Sequence, residues 1–219
     1  MIALSPHAYA HDGVTLAGLV ARPAGTPRGA IVVFPTIANA TPTIERRAVM
    51  LAEAGFVALI ADFYGEVVPS FEAARPLADR LRADPRHYRA RACAAVGALR
   101  AAAPGLKLGT VGYCMGGQAA LEAARAGESL VLAASFHGIL ATDLPADRPI
   151  PARLLVCHGD ADPMVPREQV LGFWQEMDAV GAKWHFHAYS GVKHGFTDPG
   201  SDARGLVAIA YDASADRQS

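Results

Sequence analysis

Short, unbroken apolar runs, closed by glycine or proline and separated by stretches of helical length, limit most strongly what this chain can become. Ala17 to Ala21, Ala30 to Phe34, Val57 to Ile60, Leu108 to Val111, Leu132 to Phe136, Arg153 to Cys157 and Trp184 to Tyr189 read as strands. Most do not alternate apolar with polar residues, so they belong in a sheet covered on both faces. Thr43 to Glu53, Pro85 to Ala103, Met115 to Ala126 and Pro166 to Val180 read as helices, all but the third opened by Thr or Pro and all stopped at or near glycine. This alternation predicts βαβ units and a doubly wound, mostly parallel sheet. His7 to Tyr9 and Ala17 to Ala21 flank the turn-prone Asp12-Gly13, which predicts an antiparallel hairpin at the sheet's N-terminal edge. With no repeat and no low-complexity tract, residues 1–219 read as a single domain.

Composition removes several classes of function. Hydrophobic residues make up 52% and charged residues 19%, a balance no disordered chain shows. The formal net charge is -1, and no cluster of basic residues offers a footprint for nucleic acid. The longest apolar runs fall far short of the roughly 20 residues that cross a bilayer, so no membrane span is expected. Met1 to Ala10 lacks the charged start and long apolar core of a secretory leader. Cys93, Cys114 and Cys157 form an odd, sparse set without a CxxC pair, which fits a reducing, cytoplasmic compartment.

One of those cysteines stands in a context that carries chemistry. Leu108 to Val111 runs into Gly112-Tyr113-Cys114-Met115-Gly116-Gly117 and then into a helix. A nucleophile on so sharp a strand-to-helix turn needs small residues two positions either side, which Gly112 and Gly116 supply. Cys114 would then sit at a helix N-terminus, where the dipole favours a thiolate and the Met115 amide faces a developing oxyanion. Cys93, inside an Ala-rich helix, and Cys157, at the end of an apolar strand, read as packing residues.

A thiol of ordinary pKa needs a base. In the order Cys, acid, His that follows such a turn, the acid lies beyond a later strand and the histidine beyond the last. Arg153 to Cys157 leads into His158-Gly159-Asp160-Ala161-Asp162, where the Gly-x-x-Asp spacing selects Asp162 and leaves Asp160 to cap the turn. Trp184 to Tyr189 leads into Ser190-Gly191-Val192-Lys193-His194-Gly195-Phe196, which puts His194 in a glycine-flanked loop. Asp162 would fix the tautomer of His194, leaving its other nitrogen for the thiol. His185 and His187 read as one face of a strand. No ligand pair with His158 has a helical zinc spacing, so no metal site is expected. His137, at the end of Leu132 to Phe136, either faces the pocket or caps a loop.

With Cys114, Asp162 and His194 in that order, the sequence resembles the dienelactone hydrolase family of α/β-hydrolases over nearly its whole length. Val33-Phe34-Pro35, Ala61-Asp62-Phe63-Tyr64-Gly65, Gly112-Tyr113-Cys114-Met115-Gly116-Gly117, His158-Gly159 with Asp162-Pro163, and Lys193-His194-Gly195-Phe196 carry the resemblance. It implies an α/β-hydrolase fold and a cofactor-free enzyme that opens a small-molecule ester or lactone through a cysteine acyl-enzyme. Cys114 would be nucleophile, His194 base and then acid, and Asp162 the orienter, with the amides of Ile37 and Met115 as oxyanion hole. Thr36, Tyr64, Tyr113 and Phe196 would border the substrate, in a monomer or small homo-oligomer. Phe71, Arg86, His87 and Tyr88 also fall in bordering segments, and Arg86, Arg89 or Arg91 could supply a carboxylate anchor.

The sequence departs from the family's pattern in three places. Thr36 stands where the dienelactone-cleaving members carry a glutamate that helps activate the cysteine. Asp198 stands where they carry an arginine that grips a carboxylate. Both point to a neutral or differently anchored ester or lactone. The helix that follows the histidine loop in the family would begin about Tyr211 to Asp216 and be cut short at Ser219. A binding or redox-sensing module built on this fold, with Cys114 oxidised instead of acylated, and an acyltransferase are the alternatives.

Overall fold

The computed structural model describes residues 2–219; Met1, which opens the N-terminal stretch considered above, lies outside them. Eight strands form one sheet: β1 (Leu4–His11), β2 (Val14–Ala21), β3 (Gly29–Phe34), β4 (Phe56–Ile60), β5 (Leu108–Tyr113), β6 (Leu132–Phe136), β7 (Arg153–Gly159) and β8 (Lys183–Tyr189). Their order is β1-β2-β4-β3-β5-β6-β7-β8. From β4 to β8 every neighbouring pair is parallel, whereas β1 and β2 run antiparallel at one edge across Asp12-Gly13. Both turn residues have positive φ, the conformation that turn requires.

Burial explains why the central strands are apolar without alternation. All six residues of β3 are buried. Ala30, Val32 and Phe34 face one layer while Ile31 and Val33 face the other. The first layer is built by α3 (Pro85–Ala102), α4 (Met115–Arg125), α5 (Arg167–Ala179) and α2 (Phe71–Arg82). The second is covered by α1 (Pro42–Glu53) through Ile44, Ala48 and Ala52. Caps fix where these helices start. The Thr41 hydroxyl accepts from the Ile44 amide ahead of Pro42, and the Asp84 carboxylate accepts from Arg86 and His87 ahead of Pro85. Pro166 caps α5 from just outside it and is not its first helical residue.

The sequence pattern missed α2. Pro76 sits inside it and deletes one ladder hydrogen bond, so the stretch reads as broken. The helix forms because Ser70 caps it and because Ala74, Ala78 and Leu81 make a buried stripe at helical spacing. Past β8, a 3-10 turn (Asp202–Arg204) leads to α6 (Ala213–Gln218). Asp212 caps α6, and Ala215 packs with Cys157, Val192 and Phe196.

Candidate active site

The site lies at the C-terminal ends of the parallel strands. Cys114 joins β5 to α4 with φ 57 and ψ -122, a backbone region that L-residues adopt only under constraint. The constraint is visible in its neighbours. A Cβ on Gly112 would lie 1.8 Å from the Gly116 carbonyl oxygen, and one on Gly116 would lie 2.2 Å from that of Phe34. Neither position accepts any side chain.

His194 brings Nε2 to 3.1 Å from the Cys114 Sγ, and its Nδ1 lies 2.7 Å from Asp162 Oδ2. Both partners of the sulfur's line are buried, at 2% exposure each. The Asp162 Oδ1 accepts from the Met164 amide, so the carboxylate is held at both oxygens. Gly159 brings the two loops together: a Cβ there would sit 2.5 Å from the Val192 carbonyl oxygen. Asp160, expected as the turn cap, pairs instead with Arg167 at the start of α5, and Asp162 itself closes the turn.

Electrostatics separate Cys114 from the other two cysteines. Burial pushes the Cys93 thiol up to about 12 and the Cys157 thiol up to about 11. Burial also opposes ionisation of Cys114, but the positive His194, its hydrogen bond and the Met115 amide outweigh it and bring the thiol below its ordinary value. His194 responds in kind: burial disfavours its charge, yet the Cys114 sulfur and the Asp162 carboxylate overcome that and raise its pKa.

A cavity of about 220 Å³ opens over the sulfur. Thr36, Ile37, Cys114, Met115, His137 and His194 form its floor. Phe71, Arg75, Ala78 and Arg82 of α2 form one wall, and Asp198 and Arg204 part of another. The Thr36 hydroxyl accepts from the Ala38 amide at 3.3 Å. Asp198 accepts from the Thr43 hydroxyl and is ion-paired with Arg204, so its charge is already matched.

Three residues expected to border the substrate do not line this cavity. The Tyr64 hydroxyl donates to the Ile37 carbonyl at 2.9 Å, so it holds the loop beneath the floor. Tyr113 faces the opposite layer, stacked on Phe136 under the Arg47 guanidinium, because successive strand residues point to opposite faces. Phe196 is fully buried between His137 and Tyr189.

The arginines of α3 are also elsewhere. Arg86 is exposed, Arg89 pairs with Glu122, and Arg91 is buried on the Phe63 carbonyl and His11. The arginines that do reach the cavity, Arg75, Arg82 and Arg204, lie on α2 and the 3-10 turn, neither of which the apolar pattern marked. His185 and His187 stand exposed on β8, and His158 is buried against Phe186.

An eight-stranded sheet with a strained residue between a parallel strand and a helix, met by a buried histidine and carboxylate from later loops, defines an α/β-hydrolase. The sequence model of the dienelactone hydrolase family matches residues 16–219, and the chain belongs to that family. It is accordingly a hydrolase. A dienelactone hydrolase-like promiscuous phosphotriesterase from metagenomic libraries superposes with a TM-score of 0.93 at 31% identity, covering 99% of this chain and 93% of that one. A Bradyrhizobium sp. protein named "Probable 2-oxo-3-(5-oxofuran-2-ylidene)propanoate lactonase" is 30% identical over 207 residues, which is 88% of this chain and 83% of that protein. A dienelactone hydrolase from Anabaena variabilis shares the fold, with a TM-score of 0.69 at 21% identity over 93% of each chain. Among the described residues, no helix is long and apolar enough to cross a membrane.

Proposed function

We propose that the protein hydrolyses a small-molecule carboxylic ester or lactone through a thioester acyl-enzyme on Cys114. The observation that carries this reading is the unbroken line from Sγ to Nε2 at 3.1 Å and from Nδ1 to Asp162 at 2.7 Å. The Cys114 thiolate attacks the carbonyl carbon, a C–S bond forms, and the carbonyl electrons move onto oxygen beside the amides of Met115 and Ile37. Collapse of this adduct expels the alkoxide, which takes a proton from His194 Nε2. Water then loses a proton to His194 and attacks the thioester, the C–S bond breaks with its electrons going to sulfur, and the acid leaves with the thiolate and imidazolium restored.

Thr36 and Asp198 bear on activation and on substrate. Thr36 supplies no carboxylate, so the thiol is activated by His194 and the Met115 amide without a second acid, with the pair resting as thiolate and imidazolium. Asp198, already paired with Arg204, offers no grip for a substrate carboxylate. A neutral ester or lactone therefore suits this end of the cavity better than a dienelactone acid.

A panel of p-nitrophenyl esters, enol-lactones and a phosphotriester tests the reading, the last because a structural relative is described as a promiscuous phosphotriesterase. Cys114→Ala should abolish ester turnover while leaving the circular dichroism spectrum unchanged, and intact mass during turnover should show an acyl adduct on the wild type only. Full activity in Cys114→Ala would end the proposal. Wild-type protein that gains oxygen on Cys114 but never an acyl group would favour the redox module, and ester products formed with added alcohols would favour acyl transfer.

A further inference from the structure

We propose that His137 is a positioning residue, a neutral imidazole that ties the backbone of Cys114 to the loop of His194 and so sets the distance between sulfur and base. The inference rests on the triad chemistry proposed above. It begins with a backbone anomaly at the end of β6, where His137 has φ 41 although it is not glycine. The turn is fixed from both sides. The His137 amide donates to the Cys157 carbonyl at 2.9 Å, and a Cβ on the next residue, Gly138, would lie 2.4 Å from the Ser135 Oγ.

The ring is 2% exposed and both of its nitrogens are engaged. Nδ1 lies 3.1 Å from the Cys114 amide, which it shares with the Phe136 carbonyl at 3.0 Å. An amide can only donate, so Nδ1 carries the lone pair and the ring proton sits on Nε2. Nε2–H then donates to the Thr197 hydroxyl at 2.9 Å. With no free nitrogen, His137 cannot take a proton from water or substrate, which rules it out as a second base. Protonating Nδ1 would break the bond to Cys114. Burial disfavours that charge, and the nearby His194, Arg204 and Arg47, all cationic, disfavour it further.

Thr197 stands three residues beyond His194. It is buried, and its carbonyl accepts from Arg47 of α1. The line Cys114 amide, His137 ring, Thr197 hydroxyl thus joins three segments far apart in sequence. Among the described residues, the other hydrogen bond between the nucleophile turn and the histidine loop is the Sγ to Nε2 contact itself. The His137 ring also lies edge-on to His194 with centroids 5.1 Å apart, which bars the base from swinging towards β6.

His137→Phe keeps the ring and removes both hydrogen bonds; Thr197→Val and Thr197→Ser remove and restore the hydroxyl away from the cavity wall. We expect His137→Phe to lower kcat by about tenfold or more with KM changed by less than about threefold, since small misplacements of reacting groups are costly. The acid limb of its kcat/KM profile should move to higher pH, because an imidazolium held less closely stabilises the thiolate less. Thr197→Val should show both effects more weakly, and Thr197→Ser should recover them. Folded His137→Phe and Thr197→Val with wild-type kcat and pH profile would overturn the proposal. If His137→Phe does not fold, the Thr197 pair decides it: equal kcat and equal pH profiles in Val and Ser refute the tie. Loss of activity in Cys114→Ala together with unaffected Thr197 variants would sink this inference and leave the triad standing, whereas an active Cys114→Ala would sink the triad first.

Discussion

Cys114 is held where an ordinary cysteine could not stay, and the sequence shows why in the glycines around it. With 1.8 Å and 2.2 Å as the distances a Cβ would meet, Gly112 and Gly116 are the condition for the bend. The ionisation of the sulfur follows from what the bend delivers it to. Burial works against its charge, but the His194 beside it brings its pKa below that of a free thiol while that of His194 rises, which favours the ion pair of thiolate and imidazolium. As pH drops, a free thiol loses its thiolate below about 8.5, but Cys114 should keep it further into acid. The rate of alkylation by iodoacetamide, followed by intact mass from pH 8.5 to 5.5, should stay near its plateau where that of free glutathione has fallen. Parallel decline of the two would show that the thiol is not activated. Cys114, Asp162 and His194 were legible because each follows an apolar run at a fixed spacing. Tyr64, Tyr113 and Phe196 were misassigned to the pocket because their facing depends on strand parity and on a hydrogen bond to Ile37, neither of which local sequence displays.

At the scale of elements, the structure departs from the sequence reading most at α2. Strand runs betray themselves because both faces are buried, and α1, α3, α4 and α5 carry caps or glycine stops. Helix α2 carries an internal proline and buries only Ala74, Ala78 and Leu81, yet it supplies one wall of the cavity. An element so lightly anchored depends on its cap. Replacing Ser70 with Ala removes the acceptor for the Ala73 amide, at a cost of about 1 kcal/mol. That loss should be felt locally, as weaker hydrogen-exchange protection over residues 71–82 and a raised KM, while the melting temperature moves little. Unchanged protection in Ser70→Ala would mean that packing alone holds the wall.

Across the whole molecule, the layer that carries this wall is cross-linked by one buried cation. Arg125, at the end of α4, is 1% exposed at its side chain. It makes two hydrogen bonds to Glu176 of α5 at 2.9 and 2.7 Å, one to Glu122 at 3.0 Å and one to the Leu140 carbonyl at 2.8 Å. Glu122 in turn accepts from Arg89 of α3, and Glu176 from the Ala146 amide. Two helices and the connection from β6 to β7 therefore meet at one guanidinium, and α3 joins them through Glu122. Desolvating these charges is expensive, so the network adds little net stability over an apolar replacement, but removing one partner strands the others. Arg125→Met leaves two carboxylates facing each other with only Arg89 to answer them. It should cost about 3 to 5 kcal/mol, or roughly 10 °C in melting temperature for a chain of this size. The double variant Arg125→Met with Glu176→Met should recover part of that loss, because one uncompensated charge is gone. A single variant that melts within about 2 °C of wild type would mean that water already reaches the network.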